Sequence, residues 1–155
     1  MADMAEKKYK CGFGAILNSI AAVLSLVGII TMVVASNVSK AYAFHSFALM
    51  LILAAAGMLL VALAVYFPSK RGNFDLLSTF SILIAIVFDM VVISNMINER
   101  ILLISGLFSY NAGSTIGWKV FYATVISLAC FLLSIFFLII ASFVRVVNKD
   151  KGKCL

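Results

Sequence analysis

Apolar residues in this chain neither alternate as in a strand nor keep to one helical stripe. They come in four long runs, about 13–35, 46–67, 76–98 and 120–144, separated by short polar breaks. A helix needs about 20 mostly apolar residues to cross a hydrocarbon core of roughly 30 Å, and each run is long enough. The breaks are Ser36 to His45, Pro68 to Asp75 and Glu99 to Lys119. The single proline, Pro68, is expected to end the second helix where the second break opens.

Small and polar residues recur within every run at helical spacing. The first carries Asn18, Ala21, Ser25, Gly28, Met32 and Ala35 on one face. The second has Ala48, Ala55 and Ala62, with Gly57 and Ala64 on a neighbouring line. The third has Ser78, Ser81, Ala85 and Asp89; the fourth has Ala123, Ser127, Cys130, Ser134 and Ala141. Lipid tails are as apolar as leucine, so membrane helices associate through close approach at small residues and through interhelical hydrogen bonds. Seams of this spacing favour left-handed packing near +20°, and short connections favour antiparallel neighbours. The expected fold is all-α, a single integral membrane domain over residues 1–155 built as a four-helix antiparallel bundle.

Composition supports this. Of 155 residues, 65% are apolar and 12% charged, with a mean hydropathy of +1.18. A soluble domain carries about 45–50% apolar and about 25% charged residues. A water-soluble globule, a disordered tail and a nucleic-acid-binding domain are excluded, despite a net charge of +6. Most of the basic residues fall on one side of the implied membrane: Lys7, Lys8, Lys10, Lys70, Arg71, Arg145, Lys149, Lys151 and Lys153. Lys40, Arg100 and Lys119 fall on the other. The positive-inside rule then puts both termini and the middle break in the cytoplasm, N-in and C-in. Basic flanks facing an anionic inner leaflet gain about 1 kcal/mol per side chain, so the charge needs no nucleic acid. The first run exceeds the 7–15 apolar residues of a signal peptide and is expected to be retained. The expected location is the plasma or cytoplasmic membrane.

Asp89 is the charge such a composition should have removed. Translocon scales charge roughly 2.5–3.5 kcal/mol for a carboxylate near a helix centre, and such residues usually face an interior. Counted from an outer end near Asn98, Asp89 lies about 12–14 Å deep, level with Gly28, Ala54, Ala55, Ser127 and Cys130. Three roles are open to it. It can be protonated and hydrogen-bonded to Ser127 or a backbone carbonyl; it can pair with a basic residue of another membrane protein; or it can hold a cation or proton. Asn18 is a second polar residue within a span.

A polar cluster of His45, Asn95, Glu99 and Arg100 gathers at the outer surface. Histidine and glutamate can ligate a metal, but a site needs three or four ligands at fixed spacing. Helix capping and solvation are the expectation instead, with no metal and no cofactor. The break that follows is apolar from Ile101 to Phe108 and turn-prone from Ser109 to Thr115. It is either a partner surface or membrane-lying stretch, or an extension of the third helix over the mouth of the bundle. No nucleophile elbow, phosphate-cradling loop or paired carboxylates are present, so no enzyme is expected. The leading expectation is an accessory or assembly subunit of a larger membrane complex, partnered by another membrane protein or a second copy. The alternative is a minimal oligomeric transporter or channel using Asp89 as its cation or proton site.

Overall fold

The computed structural model describes residues 10–11, 13–38, 43–71, 75–109, 113–144 and 147–148, with side chains over 13–38, 43–64, 78–109 and 113–144. Four helices account for most of them: α1 (Phe13–Asn37), α2 (Phe47–Arg71), α3 (Asp75–Ser109) and α4 (Thr115–Phe143). All four are long and apolar enough to cross a membrane. A two-residue antiparallel ladder joins β1 (Lys10–Cys11) to β2 (Val147–Asn148), tying the approach to α1 to the exit from α4. The basic residues Lys7, Lys8, Lys40, Arg145, Lys149, Lys151 and Lys153 lie outside the described residues.

Three helix ends depart from expectation, one being the start of α4, which lies at Thr115 rather than near Val120. Helix α2 does not stop at Pro68 but continues to Arg71. Proline lacks the N–H that would bond the carbonyl four residues back, here that of Ala64. The Ser78 hydroxyl, from α3, donates to that carbonyl at 2.9 Å. Helix α3 does not end near Asn98 but runs on through Glu99 and Arg100 to Ser109, 35 residues in all, or about 52 Å at 1.5 Å per residue. The apolar stretch Ile101–Phe108 is therefore the helical extension. Ser114 caps α4, its hydroxyl oxygen accepting from the Gly117 N–H at 3.2 Å.

Packing pairs α1 chiefly with α4 and α2 chiefly with α3, with lesser contacts joining α3 to α4 and α1 to α2. The expected face of α1 is the buried one: Asn18, Ala21, Ser25, Gly28, Met32 and Ala35 are all inside. On α2 the alanine line is not the seam. Ala48 and Ala62 are exposed and Ala55 half-buried, whereas Gly57 and Ala64 of the neighbouring line are buried as expected, together with Met50, Ala54 and Val61. The reason is Gly57, whose bare backbone lies against Ala85 and Phe88 of α3.

Bonds across the α1–α4 seam are short and specific. Ser127 donates to the Gly28 carbonyl at 2.8 Å, and Ser134 to the Ala21 carbonyl at 3.0 Å. These contacts advance along α4 as they recede along α1. Between them the Phe131 ring lies over Gly28, where an added Cβ would stand 3.1 Å from the ring. Apolar side chains collect in two clusters. One includes Met32, Met50, Ala54, Val92, Met96 and Phe131; the other includes Ala21, Val61, Ala64, Ile82, Ala85 and Leu138.

Candidate functional site: a polar layer between two apolar clusters

Every helix passes from one apolar cluster to the other, and each places a small or polar buried residue between them. On α1 it is Ser25, between Ala21 and Met32; on α2 it is Gly57, between Ala54 and Val61. On α3 it is Asp89, between Ala85 and Val92, and on α4 it is Ser134, between Phe131 and Leu138. The 3,4 spacing that turns these residues inward also carries the apolar residues on either side, so the layer is continuous with the seams.

Asp89 is only 2% exposed, and its Oδ1 has no hydrogen-bond partner among the described residues. That oxygen faces Gly57, where an added Cβ would lie 3.4 Å away. Ser25, 3% exposed, likewise has an unpartnered hydroxyl. Asn18 lies two turns nearer the start of α1, fully buried at 0% exposure, with neither its amide nitrogen nor its amide oxygen partnered. Ser134 differs in that its hydroxyl proton is committed to the Ala21 carbonyl, leaving its oxygen able only to accept.

Ser127 is not the partner of Asp89. Its hydroxyl belongs to the Gly28 carbonyl and lies 3.9 Å from the Met96 sulfur, and Met96 is two turns along α3 from Asp89. The expected pairing fails because depth counted from Asn98 takes that residue as the end of α3, and the helix continues well beyond it to Ser109. Sequence reasoning does not single out Ser25, Gly57 and Ser134 within their seams. The usable signal is one small or polar seam residue per span flanked by apolar seam residues.

The His45, Asn95, Glu99 and Arg100 group resolves into separate tasks. The Glu99 carboxylate accepts from the backbone N–H of His45 at 2.7 Å and of Ser46 at 2.9 Å, immediately before α2 begins. It thus satisfies amides that the helix itself cannot and places negative charge at the positive end of the α2 dipole. Arg100 is buried, with its guanidinium carbon 3.9 Å from the centroid of the Phe44 ring, a cation–π arrangement. Asn95 bonds locally to the Val91 carbonyl at 3.1 Å and does not join the others. No group of three His, Cys, Asp or Glu side chains suited to a metal occurs among the described residues. Phe108, Trp118, Phe121 and Tyr122 stack edgewise and tilted where α3 meets α4.

Comparison with models of known families, with curated proteins and with solved structures gives no match.

Proposed function

We propose that this chain is a non-enzymatic multi-pass protein of the plasma or cytoplasmic membrane, acting as an accessory or assembly subunit of a larger membrane complex. We take it as an antiparallel bundle with both termini in the cytoplasm. The opposed run of the α1–α4 bonds supports the former, and the bias of basic residues toward the terminal side supports the latter.

The observation that carries the assembly reading is the far end of α3. Past Glu99 the helix continues as Ile101–Ser109, with Leu102 83% and Phe108 66% exposed. Contiguous exposed apolar side chains mark interaction surfaces. Beside a membrane the matching occupant is an apolar helix of another multi-pass protein. Asp89 is not the docking charge in this reading, because its carboxylate is turned into its own bundle. A photo-crosslinker at position 102 should join the chain to one membrane partner at fixed stoichiometry, and Leu102→Lys should release that partner without loss of helix content. A chain that migrates alone in mild detergent and crosslinks only to lipid removes the reading.

A second reading, a minimal oligomeric transporter or channel, draws on the unpartnered Asp89 oxygen. It requires that Asp89→Asn abolish cation or proton uptake into proteoliposomes while the fold is kept. Wild-type protein that supports no flux under either gradient removes it.

A further inference from the structure

We propose that the layer around Asp89 is a binding site for one exchangeable positive charge, either a proton or a sodium-sized cation. This deepens the transport reading and rests on it for the role of Asp89, but binding is separable from flux. A protein that takes up the charge without carrying it across the membrane loses the transport reading and keeps this one.

Among the described side chains, Asp89 has no countercharge close by. Over Phe13–Asn37 of α1 and 47–64 of α2 there is no charged residue. On α3 the nearest are Glu99, committed to the start of α2, and Arg100, set against Phe44. Arg100 is eleven residues from Asp89, about 16 Å along the helix. On α4 the only charged side chain is Lys119, about four turns before Ser134. A lone carboxylate removed from water carries a penalty of several kcal/mol unless something neutralises it, and nothing within the described bundle does.

The surroundings indicate what does. Oδ1 is aimed at the one α2 position with no side chain, Gly57. The Ser25 hydroxyl and both ends of the Asn18 amide are buried on α1 with their hydrogen-bonding capacity unspent. Buried polar groups are nearly always satisfied by protein or by ordered water, so the unpartnered Asp89 oxygen facing Gly57 points to an occupant. All the available acceptors are oxygen, which suits hard cations rather than soft metals. The charge count then selects valence. One carboxylate balances one positive charge, whereas a divalent ion would leave a net charge buried in hydrocarbon.

The test uses a hydrophobic carbodiimide on the intact protein in lipid nanodiscs. The reagent reacts with the neutral carboxyl, whose O–H adds across a C=N bond: oxygen bonds the central carbon and the proton passes to nitrogen. Adduct formation at Asp89 is followed by mass spectrometry, with Asp89→Asn as the blank. The expected result is an adduct whose rate of formation falls as pH rises, by about tenfold per pH unit above the midpoint. If added sodium slows the reaction at fixed pH, the charge is a cation; if sodium has no effect while pH does, it is a proton. Gly57→Val, which builds into the space before Oδ1, should slow the reaction several-fold. A rate flat in both pH and sodium overturns the proposal, since it describes a permanently neutral structural carboxyl. So does an Asp89 that reacts only after denaturation.

Discussion

Ser78 and Pro68 form a pair that neither residue announces alone. Pro68 frees the Ala64 carbonyl, which is buried against α3. Prolines are tolerated in membrane helices where a neighbouring hydroxyl satisfies the freed group, and Ser78 does this at 2.9 Å. Ser78→Ala should therefore destabilise the protein by about 1 kcal/mol. In a Pro68→Ala background, where the N–H restored at position 68 can reach the Ala64 carbonyl again, the same change should cost much less. A double-mutant cycle read by unfolding in mixed micelles checks this, and equal costs in both backgrounds would refute the pairing. The example also shows why single residues are only half legible in the sequence. Asp89 is recognisable as interior because a charge in an apolar run has few other places to go. Its neighbours are not, because they depend on how far α3 extends, and a proline read by local rules gives no hint of a hydroxyl on the next helix.

At the scale of elements, the seams are legible where small residues and polar residues coincide. The α1 stripe is readable in full because Ser127 and Ser134 need its bare carbonyls at Gly28 and Ala21. The α2 stripe misleads because three alanines at sevenfold spacing resemble a seam, while one glycine permits the closer approach. The end of α3 misleads for a different reason. Glu99 and Arg100 look like the edge of a span when their charges are imagined as solvated. In the folded chain Glu99 caps α2 and Arg100 covers Phe44, so the helix proceeds. Removing the cap with Glu99→Ala should cost about 1–2 kcal/mol, as for other helix N-caps, and should fray the first turn of α2 before any other element. Hydrogen exchange at the amides of residues 45–50 is the direct measurement. Unchanged protection there would show that the carboxylate is dispensable.

For the molecule as a whole, two apolar clusters sandwich a polar layer, and the ends of α1 and α4 are held by the β1–β2 ladder. Four crossings are legible because length and hydropathy suffice for them; which helix neighbours which is not, because any of the seams could pair. The orientation proposed above has a simple check. A cysteine at Lys119 should react with a membrane-impermeant maleimide added outside intact cells, and a cysteine at Lys70 only after permeabilisation; the reverse pattern would invert the topology. The pairing of α1 with α4 has a consequence in time. Ser127 and Ser134 meet residues 99 and 113 positions earlier in the chain. At a synthesis rate of about 5–20 residues per second, the first helix waits on the order of 5–20 s for its principal partner to emerge. During that interval Asn18 and Ser25 face lipid, an intermediate helix or an insertion factor, so the step most exposed to error in making this protein is the keeping of its first helix until its last arrives.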